Sequence, residues 1–158
     1  MSFTQTMKEA ASHLGLSNLL ISQEGTCRIV FNDTQAIDIE ESKEFEGMMH
    51  AYSVVGKIPR GNRETVFGML LEANFLGQGT GTASLSVDQG AGEILLYQMI
   101  SYSLCTPSQL AELIKALGQL ATEWTQALSS IDTSHGQQTA PGKVAEFNIA
   151  DTVNAIKV

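Results

Sequence analysis

Basic residues are scarce in this 158-residue chain, and their scarcity excludes whole classes of partner. Only 9 Lys and Arg stand against 17 Asp and Glu, so the net charge is −8. Binding to a phosphate backbone requires clustered Lys and Arg, and adsorption to an anionic membrane has the same requirement. The three cations at Lys57, Arg60 and Arg63 are too few for nucleic acid. We therefore expect neither nucleic acid nor a membrane among the partners.

Cysteines and long apolar runs are equally sparse. Cys27 and Cys105 are the only cysteines, and no secretory signal pattern precedes them. This usage is typical of a reduced cytoplasm rather than of a disulfide framework. No run of eighteen or more apolar residues occurs, so the sequence predicts no membrane-spanning helix. We expect a cytoplasmic protein.

The residues that usually carry catalysis are too scattered to form a site. His13, His50 and His135 lie in a helix end, a strand and a linker-like stretch, without the spacing of a metal site or a catalytic triad. Cys27 alternates with apolar residues and reads as a buried small hydrophobe. Cys105 precedes a helix but has no paired base. The sequence therefore predicts no enzyme, no catalytic or metal-binding residue and no cofactor.

A glycine-rich loop at residues 77–81 has the wrong context for phosphate. It follows a helix and precedes a strand, whereas the dinucleotide fingerprint follows a strand and opens a helix. No Walker motif is present. The glycines are interpreted as a helix stop and a flexible turn.

The hydrophobic periodicity predicts one α+β domain. Ser2 caps a first helix, with Gln5 completing a capping box and Gly15 ending it. Thr106 and Gln109 form a second capping box before a long amphipathic helix that runs to about Ile131. The order is helix, three strands, helix, two strands, helix, with an antiparallel sheet packed against the helices. The predicted strands cover residues 26–31, 36–41, 45–55, 82–88 and 93–103.

The helix predicted over residues 64–76, with Asn62 as its cap, is apolar around almost its whole circumference. A soluble helix of this kind must be covered on more than one side. Its own sheet supplies one cover, and a second copy of the chain is the simplest other one. We expect a homodimer whose interface includes Val66, Phe67, Leu70, Leu71, Phe75 and Leu85.

Composition shifts after Ile131. Residues 132–142 have a linker-like content of Gly, Pro, Ser, Thr and Gln. The chain then regains Val144, Phe147, Ile149, Val153 and Ile156, which are apolar enough to dock on a surface. We therefore divide the chain into a domain over residues 1–131 and a linker with an apolar C-terminal tail over residues 132–158. Whether the tail packs or is a bystander stays open.

Five carboxylates concentrate around the second and third strands: Asp38, Glu40, Glu41, Glu44 and Glu46. They lack the spacing of a calcium loop. A solvated strand face is one interpretation, and an acidic rim that attracts a basic partner segment is the other. With a charged fraction of only 16%, the protein is expected to leave apolar surface available for a partner.

One stretch resembles a known family. The run LLEANFLG at residues 70–77, a Gly-rich loop, a strand of small and apolar residues, a turn and EILLY at residues 93–97 resemble the class I effector chaperones of bacterial type III secretion, the small acidic Tir-chaperone-like proteins. The resemblance covers most of residues 1–131. It implies a non-enzymatic homodimer that holds an N-proximal segment of a secreted effector in extended form, with the secretion apparatus as a further partner.

The same resemblance implies an effector groove on the first helix and the first sheet. Its expected contact residues are Phe3, Met7, Leu14, Ile29, Phe31, Ile37 and Ile39. A regulatory interaction domain, binding a transcription factor or another chaperone to couple secretion to expression, is the alternative that the sequence leaves open.

Overall fold

The computed structural model of the protein describes residues 2–133, with side-chain burial described up to Ile131. His135 and the apolar tail predicted from Val144 onwards lie outside the described residues. The predicted order of elements is confirmed, and a short 3₁₀ turn, Phe75–Gly77, follows the second helix. The elements are α1 (Phe3–His13), β1 (Thr26–Phe31), β2 (Gln35–Glu41), β3 (Met48–Lys57), α2 (Arg63–Asn74), β4 (Ser84–Asp88), β5 (Glu93–Ser101) and α3 (Pro107–Thr133).

The strands form one antiparallel sheet in the order β1-β2-β3-β5-β4. Side chains alternate between two faces of a sheet, and burial follows that alternation. Ile29 pairs with Ile37, Ile39 with Ala51, and Leu85 with Leu96, and all six of these side chains are buried. The helices cover this face, so the core lies between it and α1, α2 and α3.

Both predicted N-caps lie at helix starts, but only the second is a reciprocal capping box, because the Gln5 side chain donates to Glu9 at 3.1 Å instead of returning to Ser2. The Ser2 hydroxyl accepts a hydrogen bond from the Gln5 amide at 3.3 Å. Thr106 and Gln109 bond reciprocally, with main-chain N–H to side-chain oxygen distances of 2.9 and 3.2 Å. Each cap satisfies N–H groups that a helix start would otherwise leave unpaired. Asn62 is different, because it precedes α2 with a left-handed φ of 52° and makes no side-chain capping bond to the helix.

The predicted boundaries need correction at β3 and α2. β3 starts at Met48 rather than at residue 45, because Phe45 belongs to a turn in which its N–H donates to the Ser42 hydroxyl. α2 ends at Asn74, and Leu76 then adopts a φ of 53°. The sequence indicates Gly77 as the left-handed residue after the helix. In the structure that conformation begins one residue earlier, at Leu76, where a non-glycine residue rarely adopts it.

A polar network that the sequence pattern does not predict ties α3 to the sheet. The regular pairing of β2 with β3 stops at Asp38 and Tyr52. Beyond that point, the Gln35 amide donates to the Ser53 hydroxyl at 2.6 Å and accepts from Thr125 of α3 at 2.8 Å. Ser53 donates in turn to the Ala36 carbonyl at 2.6 Å. Because these buried groups are satisfied, the network costs little and fixes the position of α3 over the strands.

The glycine-rich loop packs against α3. Trp124 donates its indole N–H to the Gly79 carbonyl at 3.0 Å, and Thr80 is 1% exposed. A Cβ at Gly79 would come within 2.9 Å of the Ala73 side chain, so this position requires glycine. The loop forms a turn held by specific contacts, while the end of the helix lies before it, at Asn74.

Candidate partner-binding surfaces

The outer edge of β1 carries open main-chain groups. Thr26 directs its N–H and C=O away from β2, where both pair with Ser22 at 3.1 and 2.9 Å. Orientation alternates along a strand, so Arg28 and Val30 also point their main-chain groups outward. Within residues 2–133 those groups have no partner. An edge of this kind accepts an additional extended chain by main-chain hydrogen bonding.

The flanks of this edge differ from each other. On one flank, Arg28 pairs with Asp38 of β2 through contacts of 2.6 and 2.9 Å, and Val30 is 52% exposed. On the other flank, the Phe31 ring lies against Gly118 of α3, where an added Cβ would come within 2.7 Å of the ring. Half-buried apolar side chains from the end of α1 and its connection to β1 join the same core: Leu14, Leu16 and Ile21.

The effector residues expected from the resemblance separate into two groups. Leu14 and Phe31 are half-buried and keep accessible surface. The others are at most 3% exposed within the single chain, so they support the edge from beneath: Phe3, Met7, Ile29, Ile37 and Ile39. Their role in effector contact stays a prediction. Which strand forms the open edge was not predicted, because the order of strands in the sheet is decided by tertiary packing.

The outer edge of β4 is closed at Leu85 by a side chain. The Asn74 amide accepts a hydrogen bond from the Leu85 N–H at 2.8 Å and donates to the Leu85 carbonyl at 3.0 Å. These are the outward groups of Leu85 alone. By the same alternation, Val87 also points its main-chain groups outward, and they have no partner within residues 2–133. Ala83, two residues before Leu85, donates to the Thr80 carbonyl at 3.0 Å. Asn74, the asparagine of the LLEANFLG run, therefore has a structural role: its amide both accepts from and donates to the main chain of Leu85.

Beside this edge lies an exposed apolar surface, called here the exposed end of α2, which includes the 3₁₀ turn that follows the helix. Leu71 is 71% exposed, Phe75 62% and Leu76 84%. Phe67 is half-buried. The other expected interface residues, Val66, Leu70 and Leu85, are at most 6% exposed and pack in the core of their own chain. Three large apolar side chains in adjacent positions are the kind of patch that marks an interaction site.

The second face of the sheet, opposite the helices, is mixed in polarity. Val54 and Met99 are 39% and 38% exposed. His50 stacks on Tyr97 with ring centroids 5.9 Å apart, and its Nδ1 lies 3.0 Å from the Tyr97 hydroxyl. This face can make both apolar and hydrogen-bonding contacts.

Three groups near the β1 side have raised pKa values. The hydrogen bond to Glu41, together with burial, raises the pKa of Tyr102 to about 12. Burial and the hydrogen bond to Glu40 raise the pKa of Tyr52 to about 12. Burial, with Asp38 nearby, raises the pKa of Cys27 to about 11. A thiol with that pKa is protonated at neutral pH and is a poor nucleophile.

Residues 2–133 contain no group of three or more His, Cys, Asp and Glu side chains placed to hold a metal ion. Across the same residues, no helix combines the length and the apolar character that crossing a bilayer requires.

The fold and its surfaces agree with the comparisons. The Tir chaperone protein (CesT) family model matches residues 5–125, and the chain belongs to this family. A search of curated proteins gave no match.

Solved structures share the fold at low identity. The Yersinia pestis type III secretion chaperone SycH, solved with a stable fragment of YscM2, is 18% identical with a TM-score of 0.62. The match covers 78% of this chain and 99% of that one. The Pseudomonas aeruginosa ExoU–SpcU complex of the type III secretion system matches at 21% identity and a TM-score of 0.58, over 78% and 98% of the two chains. The ExsC–ExsE complex matches at 20% identity and a TM-score of 0.61, over 78% and 91%.

Proposed function

We propose that this protein is a type III secretion chaperone that binds an N-proximal segment of a secreted effector and keeps it extended in the bacterial cytoplasm. Membership of the CesT family supports this function. So do the structural relatives: SycH is a type III secretion chaperone solved with a fragment of YscM2, and ExoU–SpcU is a heterodimeric complex from the type III secretion system.

The observation that carries the proposal is the open edge of β1. The outward N–H and C=O groups of Arg28 and Val30 offer two hydrogen-bonding positions to an extended chain. An added strand places alternate side chains on opposite faces. One set meets Val30 and the Arg28–Asp38 pair, and the other meets the apolar flank that contains Phe31. This edge recognises the backbone of its client and reads side chains only at alternate positions.

Two copies of the chain form the active unit in this proposal. The exposed end of α2 is strongly apolar and adjoins β4, whose edge is satisfied at Leu85 by Asn74. Packing two such ends together would remove Leu71, Phe75 and Leu76 from water, with a gain of about 25 cal/mol per Å² of apolar surface. The client edge at β1 lies at the opposite side of the sheet and stays accessible in such a dimer.

The protein acts by binding alone. Membership of a chaperone family supports this, and the raised pKa of the buried Cys27 thiol makes it a poor nucleophile. The regulatory alternative would use the same surfaces, and no feature of the described residues favours it over effector binding.

Hydrogen exchange with a bound client tests the proposal directly. The protein is expressed in its native host, and any protein that co-purifies with it is identified by mass spectrometry. Limited proteolysis of the complex then maps the segment of that partner which the chain protects. A protected segment close to the N-terminus of a secreted protein is expected. On complex formation, the amides of Arg28 and Val30 should gain protection, because the client carbonyls accept their hydrogen bonds.

The amide of Leu85 serves as an internal reference, since Asn74 already accepts its hydrogen bond. An equal gain in protection at Leu85 and at the β1 amides, or no gain at Arg28 and Val30, would refute strand addition at β1. Protection confined to a folded domain of the partner would argue against a chaperone role.

A further inference from the structure

A cleft at the C-terminal end of α3 is not explained by the proposed function. Its volume is about 190 Å³, and its floor is apolar: Val55, Val66, Ile94 and Leu128 line it together with Ile131. An aliphatic cavity of ~150 Å³ is large enough to take up benzene. The cleft therefore has room for one aromatic or aliphatic side chain.

Basic side chains gather at the rim of the cleft, and of these Lys57 is already paired with Glu93 at 2.6 Å. Lys57 lines it, and Arg63 donates from its Nε to the carbonyl of Pro59, another lining residue, at 3.1 Å. Arg60 is the exposed neighbour of Pro59. Residues 2–133 contain seven Lys and Arg residues, and three of them lie at this rim. An occupant with an apolar side chain flanked by carboxylates would match both the floor and the rim.

The chain itself supplies such a segment. Residues 144–156 contain Phe147 and Ile149 between Glu146 and Asp151, with no Lys or Arg among them. The family match ends at residue 125, so this segment and the last turns of α3 both lie beyond it. Thirteen residues, 134–146, separate Thr133 from Phe147. At ~3.3 Å per residue they reach far beyond the one or two helical turns back to the cleft.

We infer that residues 144–152 dock into this cleft of their own chain, with Phe147 in the cavity and Glu146 and Asp151 facing Arg60 and Arg63. A tether of this length gives an effective concentration on the order of 1 mM, so an intrinsic Kd of ~0.1 mM suffices for about tenfold occupancy over the undocked state. The inference does not depend on client binding.

Amide exchange in the full-length chain tests it. The amides of residues 144–152 should exchange about tenfold more slowly than those of a synthetic peptide of residues 140–158, at every protein concentration. Phe147→Ser should remove that protection, because the cavity loses its occupant. The matched control, Asn148→Ser, changes a polar residue between Phe147 and Ile149 and should retain it.

A charge exchange tests the rim. Arg60→Glu with Arg63→Glu should reduce the protection several-fold, and adding Glu146→Lys with Asp151→Lys to the same chain should restore it. Exchange at the peptide's rate in the wild-type chain would overturn the inference. Protection that survives Phe147→Ser would overturn it as well. Protection lost on dilution would assign the cleft to a second copy instead.

Discussion

The two edges of the sheet are treated differently by the same chain. At β4, the Asn74 side chain satisfies both outward main-chain groups of Leu85. At β1, the outward groups of Arg28 and Val30 have no partner within residues 2–133. Exposed edges invite pairing with other chains, and proteins usually protect them. Closure at Leu85 leaves Val87 as the one outward-facing position of β4 without a partner within residues 2–133, so strand addition is favoured at β1, which offers two such positions.

The neighbourhood of each edge extends this contrast. The closed edge adjoins the exposed apolar end of α2, which suits packing against an identical surface. The open edge is flanked by an ion pair on one side and half-buried apolar residues on the other. The proposed self-association and the proposed client binding use opposite ends of the sheet, so each can be tested by a separate substitution.

The largest effect is expected from a charge on the exposed end of α2. Leu71→Asp should dissociate the dimer, because an unpaired charge buried in an interface costs several kcal/mol. The monomer should remain folded, since Leu71 is 71% exposed in the single chain. Light scattering at micromolar concentration measures the mass, and circular dichroism measures the fold.

Leu70→Asp is the contrasting control. Leu70 is 3% exposed within its own chain, so this variant should unfold the protein rather than dissociate it. A wild-type protein that is monomeric at micromolar concentration would contradict the dimer.

The next effect concerns the open edge. Val30→Pro removes the outward N–H and places the ring where a client strand would pair, and proline is tolerated at edge positions of this kind. Client affinity should fall at least tenfold, about 1.4 kcal/mol or more, while the fold is retained. Calorimetric titration with the client segment measures the change.

Val30→Thr keeps the N–H and the branched side chain, so its client affinity should remain near that of the wild type. If Val30→Thr weakened binding as much as Val30→Pro, the side chain rather than the main chain would be responsible.

Opening the closed edge should cost stability. Asn74→Ala leaves the Leu85 N–H and carbonyl without their partner, which is expected to lower the free energy of unfolding by about 1–3 kcal/mol. The freed edge should also promote concentration-dependent association. Urea denaturation and light scattering measure the two effects. Gln78→Ala, an exposed polar residue in the neighbouring loop, should change neither.

The smallest effect is a pH dependence at the β1 side. Folding raises the pKa of Tyr102 from 10.0 to about 12, so the unfolded chain loses this proton first. The contribution is fully present below pH 10 and is lost as pH rises towards 12. Tyr102→Phe should therefore flatten the fall in Tm between pH 10 and 12. The difference from the wild type isolates Tyr102 from Cys27, which titrates in the same range. Parallel Tm curves for the two proteins would exclude this role.

Local pattern was enough for much of the fold. Alternation in the strands and the 3- and 4-residue spacing of α3 predict the order of elements, since both periodicities are properties of the backbone geometry. The N-caps at Ser2 and Thr106 mark helix starts because they are local hydrogen bonds between residues three apart. The acidic composition predicts that nucleic acid is not a partner, and this stays a prediction.

Contacts between residues distant in sequence were decided by the tertiary structure. Asn74 meets Leu85, Gln35 meets Ser53 and Thr125, and Trp124 meets Gly79 only after the elements have packed. An amide side chain carries no local sign of which backbone group it will satisfy. The exposure of each apolar side chain of α2 is also decided by packing. Leu70 and Leu71 are the same residue type in neighbouring positions, but the folded chain buries Leu70 and leaves Leu71 in solvent.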